Sequence, residues 1–108
     1  MAEKQKTPLI FYRTAAGVEP VREWLKSLPR GDRKAVGLDL MRAQWRWPVG
    51  MPLCRLLGID LPSRRIARVL LCMAAGQLVA LHGFIKKTQK TSDDDLNLAR
   101  RRQKDIGE

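Results

Sequence analysis

The feature that most constrains this chain is a pair of apolar runs, Arg65 to Met73 and Gln77 to Ile85, separated only by Ala74-Ala75-Gly76. Both runs read as strands, and the small residues between them suit a hairpin turn because Gly76 is free to take a positive φ. Helical spacing supplies their cover. From Gly17 to Leu28, the residues Val21, Trp24, Leu25 and Leu28 recur at i, i+3, i+4 and i+7, and Pro20 suits a first turn. Pro29-Arg30-Gly31 interrupts that pattern. A second helix is predicted from about Asp32 to Trp45, with Val36, Leu40 and Ala43 on one stripe and basic residues off it. Two helices joined so tightly predict an antiparallel helical hairpin.

Leu9-Ile10-Phe11-Tyr12-Arg13 predicts a short strand before the helices, after a frayed lead-in over residues 1–8. Pro48, Gly50 and Pro52 open a loop after them. Ser92 is a good N-cap for a last helix, with Asp95 three residues on as a weak capping box. Asp93 to Asp95 in its first turn, and Arg100, Arg101, Arg102 and Lys104 near its end, complement the helix dipole. Leu96, Ala99, Gln103 and Ile106 line one of its faces. The predicted order is β-α-α-β-β-α. The fold class is α+β, a small antiparallel sheet with an N-terminal helical hairpin and a C-terminal helix, in one domain over residues 1–108. Trp24, Leu25, Val36, Leu40, Val69, Leu71, Val79, Leu81 and Leu96 should be largely buried.

A chain of 108 residues with 44% apolar content can build a core without a metal or disulfide staple. No apolar run approaches the roughly 20 residues of a membrane helix. Met1 to Lys6 is polar, without a signal-type apolar stretch, so a cytoplasmic location is expected. Cys54 and Cys72 form no CxxC pair and have no Cys/His cluster around them. Neither a disulfide nor a zinc site is expected, no other cofactor is implied, and Cys72 should be a small buried hydrophobe.

The formal net charge is +10, from 21 basic and 11 acidic residues, and such a field attracts polyanions. Its distribution is informative. From Leu61 to Ser92 there is no acidic residue, yet Arg64, Arg65, Arg68, Lys86, Lys87 and Lys90 all fall there. Six cations without a counter-charge suit phosphate binding, and they are predicted to form one contiguous positive surface.

The segment LHGFIKKTQKT, Leu81 to Thr91, followed by an acid-led basic helix, resembles the C-terminal signature of the HigB-like branch of the RelE/ParE toxin superfamily. SRRIARVL (Ser63 to Leu70) resembles the strand before it, and WPVGMPL (Trp47 to Leu53) the loop after the helical hairpin. Pro29 followed by Asp32-Arg33-Lys34 resembles the start of the family's second helix. The likeness runs from about Leu9 to Lys104. One departure stands out. The family's Gly-Leu-Trp-Glu-aliphatic-Arg strand has no counterpart, because Arg55-Leu56-Leu57-Gly58 passes directly into Ile59-Asp60-Leu61-Pro62. One sheet strand is therefore expected to be missing. The resemblance implies helices on one face of an antiparallel sheet, and a concave face that binds mRNA in the decoding site of the ribosome. It also implies a ribosome-dependent, metal-independent mRNA endoribonuclease that inhibits translation. The partner would be a cognate antitoxin, usually a HigA-like helix-turn-helix protein.

Metal-free RNA cleavage uses the neighbouring 2′-OH as nucleophile. It needs a base for that proton, an acid for the 5′-oxygen, and positive charge at the transition state. With no carboxylate in the basic stretch, His82 or a lysine must be the base. His82, Phe84 and Lys86 alternate onto one strand face, combining proton transfer, base stacking and phosphate contact. Arg68, whose neighbours Ala67 and Val69 point the other way, is the candidate for transition-state stabilisation. The predicted catalytic set is Arg68, His82, Lys86 and Lys87. Arg64, Arg65, Phe84 and Lys90 are the predicted RNA-binding residues. Trp24, Trp45 and Trp47 are read as helix-packing residues, and Arg100-Arg101-Arg102 as a helix face. Tyr12 receives no role. Alternative readings are a ParE-like toxin that poisons DNA gyrase without cleaving RNA, a degenerate toxin that still binds its antitoxin, and a plain nucleic-acid-binding or regulatory protein, for which no helix-turn-helix pair with a recognition helix is found.

Overall fold

The computed structural model describes residues 7–46, 54–87 and 92–106. Within them run β1 (Leu9–Phe11), α1 (Pro20–Ser27), α2 (Arg30–Arg46), β2 (Cys54–Asp60), β3 (Ile66–Ala74), β4 (Gln77–Ile85) and α3 (Asp93–Ile106). The class is α+β, as the patterning predicts. The strands form one sheet in the order β1-β4-β3-β2. β2, β3 and β4 make an antiparallel meander. β1 joins the far edge in parallel, with Leu9 opposite Leu78 and Phe11 opposite Ala80, so the sheet is mixed.

β2 corrects the expectation of a missing strand. It pairs with β3 from Cys54 opposite Cys72 to Asp60 opposite Ile66. Ladder pairing is made by the backbone, so losing the family's Glu and Arg side chains does not remove the strand. The segment is held by its alternate apolar residues: Ile59 is fully buried and Leu57 packs against the same core. The same register overturns the expectation of unpaired cysteines. Cys54 and Cys72 lie directly opposite each other, with Cα atoms 4.0 Å apart, and form a disulfide. Without β2 in the sequence reading, nothing brought the two together. Cys72 is buried, as expected.

The helical hairpin covers one face of the sheet. Val21, Leu28, Val36, Leu40 and Ala43 pack on Ala67, Val69 and Leu71 of β3, Leu78 and Ala80 of β4, and Ile59 of β2. The third helix lies on the opposite face. Its Ile106 packs against Tyr12, Cys72, Val79 and Leu81, and its Ala99 is buried. Helices therefore cover both faces, not one, because α3 is apolar along a stripe that needs its own partner. Val36, Leu40, Val69, Leu71, Val79 and Leu81 are buried as predicted, whereas Trp24, Leu25 and Leu96 are half-buried. Trp45 does not pack: it is 44% exposed, in an exposed row with Leu38 and Met41 on α2. Trp47 lies outside the described residues.

Two irregularities shape the meander. The β3–β4 turn closes on the pair Ala74 and Gln77, with φ of 51° at Ala75 and 77° at Gly76. Two successive positive φ values match a type I′ turn, which favours Asn-Gly. The left-handed region costs an alanine about 1 kcal/mol, and asparagine tolerates it better. Ala75→Asn should therefore raise the thermal unfolding midpoint by a few degrees, of the order that about 1 kcal/mol produces in a domain of this size. An unchanged or lower midpoint would contradict the turn geometry. The second irregularity is a register shift between Leu70 and Leu71: Leu70 opposes His82, but Leu71 opposes Ala80. Leu81 is the extra residue of a β-bulge. It consequently shares a face with His82, Leu81 facing the core under α3 and His82 standing beyond it.

Candidate active site

Strand pairing gathers the site. Arg68 of β3 lies opposite Phe84 of β4, and Leu70 lies opposite His82. These residues share the α3 side of the sheet, while Ala67 and Val69 are buried beneath the helical hairpin. The alternation predicted for His82 and Phe84 therefore holds. Their rings stack at 5.3 Å between centroids, with planes 26° apart. Phe84 is half-exposed, a surface against which a further ring can stack.

The acid-free stretch receives a carboxylate from the next element. His82 Nε2 and Asp95 Oδ1 are 2.5 Å apart, with side chains only 15% and 28% exposed. Ser92 caps α3 by accepting the Asp95 backbone N–H through Oγ, and its hydroxyl donates to Asp95 Oδ2 at 2.7 Å. Burial pushes the Asp95 carboxyl up. Hydrogen bonds from His82 and Ser92, with the charges of His82 and Lys87, outweigh it and hold the group below its usual value. The inference that only His82 or a lysine can govern proton movement here thus missed Asp95. Its sequence signal was present, as the Ser92-x-x-Asp95 spacing, but that spacing reads as a helix cap and says nothing about which strand the cap faces.

Arg68 is half-buried, and its Nε is fully covered with no hydrogen-bond partner among the described residues. A buried N–H donor left unmatched is costly, and an anionic oxygen would satisfy it. Lys86 and Lys87 follow β4 directly. The Lys86 backbone N–H donates to the Ile66 carbonyl at 2.8 Å, which sets both lysines beside the start of β3. Lys86 is half-buried and Lys87 exposed. Arg64, exposed at φ 66°, and Arg65 sit in the β2–β3 turn at that same end of the sheet. Arg65 is less free than the sequence suggests, since it donates to Asp32 Oδ2 at 3.3 Å and to Ser63 Oγ at 3.2 Å. Lys90, predicted to bind RNA, lies outside the described residues.

Asp32 is the buried anchor of that turn, 2% exposed at the start of α2. It accepts the Ser63 hydroxyl at 2.8 Å and the Ser63 backbone N–H at 3.3 Å. These bonds, led by the Ser63 hydroxyl and joined by Arg65, hold its carboxyl below the usual value against the opposing effect of burial. A carboxyl lowered by folding stabilises the fold above its unfolded pKa, and that contribution is lost as pH falls through the folded value. Unfolding titrations should show stability falling below about pH 4, the ordinary carboxylate range. Asp32→Asn should lower stability at neutral pH and flatten this acid limb. An unchanged limb would exclude Asp32 as its source.

Towards the other end of α3, Tyr12, to which sequence reasoning gave no role, and Arg102, read there as part of a helix face, make three contacts. Tyr12 is buried and donates to Asp105 Oδ2 at 2.6 Å. Arg102 lies over the Tyr12 ring and donates to the Leu81 carbonyl at 2.8 Å, while Arg100 and Arg101 are exposed. These contacts fix the helix on the sheet, and so place Asp95 at His82.

A family model described as phage derived protein Gp49-like (DUF891) matches residues 23–104. The chain belongs to the Gp49-like family. This family is of the RelE/Gp49 toxin type found in toxin–antitoxin systems, and the α+β architecture is compatible with a RelE-like fold. No curated protein matches the chain. The Gp49-like region takes in α2, the whole meander and most of α3, and with them Arg68, His82, Phe84 and Asp95. β1 lies outside it. A toxin of this type implies an antitoxin partner. Among the described residues, no helix is long and apolar enough to cross a membrane.

Proposed function

We propose that this Gp49-like protein is the toxin of a HigB-like toxin–antitoxin pair and a ribosome-dependent, metal-independent mRNA endoribonuclease. The observation that carries this reading is the His82 imidazole near the unmatched Arg68 donor, on a face flanked by Lys86 and Lys87. Arg68 and the lysines would hold the scissile phosphate and stabilise the charge it gains. Phe84 would stack on a base, and Arg64 with Lys90 would track the backbone. His82 or one of the lysines would take the 2′-OH proton. The antitoxin is expected to be a helix-turn-helix protein.

In vitro translation followed by primer extension tests the reading. Cuts within translated mRNA, with 2′,3′-cyclic phosphate ends, are the expected result. Intact mRNA together with inhibited DNA supercoiling would replace it with the gyrase-poison reading. Intact mRNA without that inhibition, in a protein that still binds its antitoxin, would indicate a degenerate toxin.

A further inference from the structure

We infer that Asp95 is the positioning residue for His82, fixing the imidazole with Nε2–H donated to its carboxylate so that Nδ1 is the nitrogen that exchanges the reaction proton. This rests on the ribonuclease reading given above. The geometry is specific. Nε2 is taken by Asp95 Oδ1 at 2.5 Å, while Nδ1 makes no hydrogen bond among the described residues. The ring cannot turn freely, because Phe84 stacks on one side of it and both partners are largely shielded from water. The carboxylate is itself oriented, with its second oxygen held by the Ser92 hydroxyl and its backbone fixed by the helix cap. Such a chain of carboxylate, imidazole and reacting hydroxyl selects one tautomer through the bond at the other nitrogen.

The groups around His82 support the assignment. α3 contributes Asp95, the segment after β4 contributes Lys87, whose charge acts on Asp95, and β3 contributes Arg68 on the same face. Asp95 is the carboxylate in contact with the ring. In the step that follows, the 2′-oxygen forms a bond to phosphorus and its proton passes to Nδ1. The bond from phosphorus to the 5′-oxygen breaks, and that oxygen takes a proton from the ammonium of Lys86 or Lys87. The products are a 2′,3′-cyclic phosphate and a 5′-hydroxyl. The imidazolium formed is stabilised by Asp95, which stays ionised. α3 thus sets the chemistry from outside the sheet, through the first turn of a helix whose far end is tied down by Arg102 and Tyr12.

Nitrogen-15 NMR of the ring in the free protein tests the assignment directly, alongside cleavage kinetics on translating ribosomes. In the parent, neutral His82 should show the proton on Nε2. Asp95→Asn should give a mixed or reversed tautomer and lower kcat on the order of a hundredfold with KM little changed. Asp95→Glu should restore part of both. Asp94→Asn serves as the structural control, because it removes an exposed charge from the same first turn of α3 while leaving Asp95 and its bonds in place, so it should keep the Nε2–H tautomer. A parent ring protonated on Nδ1, or an Asp95→Asn variant with parental tautomer and rate, would overturn the proposal. If Asp94→Asn loses the tautomer as fully as Asp95→Asn does, the effect belongs to the charge of the helix's first turn and the proposal also fails. A parent that cleaves no mRNA sinks the ribonuclease reading instead, and the tautomer measurement then decides alone whether Asp95 positions His82.

Discussion

Gly83→Ala should destabilise the protein by about 3 kcal/mol, at the upper end of what overpacking one methyl into a core costs. A Cβ at position 83 would stand 2.5 Å from both Cε3 and Cζ3 of Trp24, and 3.2 Å from Cδ2. The indole is rigid and cannot yield by a side-chain rotation at its tip. Either the ring leaves its place or α1 lifts from β4, against which it packs. Denaturant unfolding monitored by circular dichroism measures the loss. Trp24→Leu in the Gly83→Ala background should recover much of it, because the two sites are in contact and their effects do not add. An alanine variant of parental stability would refute the packing. The run His82-Gly83-Phe84 therefore divides by strand alternation. Its glycine admits a tryptophan on the hairpin side, while the flanking rings stack together on the α3 side.

The largest effects on activity should come from Arg68→Ala and His82→Ala. Removing a cation that stabilises a developing oxyanion costs about a hundredfold or more in rate, and losing an acid or base costs a similar order. On the ribonuclease reading proposed above, both variants should relieve growth arrest and slow mRNA cleavage while antitoxin binding is kept. The unfolding midpoint should stay close to parental for Arg68→Ala and fall for His82→Ala, which leaves the half-buried Asp95 carboxylate without its ring partner. Arg68 is a good subject for this separation because its Nε holds no partner in the described structure, so its removal breaks no internal hydrogen bond of that nitrogen. Arg68→Lys should fall between parent and alanine, since a lysine keeps the charge and loses the two-pronged grip. Parental cleavage by both alanine variants would disprove the assignment of this face.

The parts of the fold that sequence revealed are those with local signals. The two long strands, the Gly76 turn, the Ser92 cap and the stripe of Val36, Leu40 and Ala43 each follow from residues close together in the chain. β2 was missed because CRLLGID lacks clean alternation: Leu56 and Leu57 are adjacent, and Gly58 weakens the strand signal. The disulfide was missed with it, since it depends on the register between two strands. Asp95 was legible as a cap but not as a partner of His82, because that contact depends on the direction in which α3 crosses the sheet. Trp45 shows the converse error. An aromatic at the end of a helix was read as packing, yet α2 is apolar on more than one side and only the stripe carrying Val36 meets the sheet.

The parallel pairing of β1 with β4 has a bearing on the order in which the protein assembles. Residues Cys54 to Ile85 form a meander closed by two short turns, so its contacts require little loop closure. Leu9 must instead find Leu78 across most of the chain. Contacts so distant in sequence slow folding, and they form most readily on a surface that already exists. The meander is thus expected to act as the early template, with Arg68, His82 and Phe84 already in register on it, and β1 to dock late as the outermost strand. Mutations in the β3–β4 turn should then alter the folding rate, whereas weakening Leu9 or Phe11 should mainly hasten unfolding.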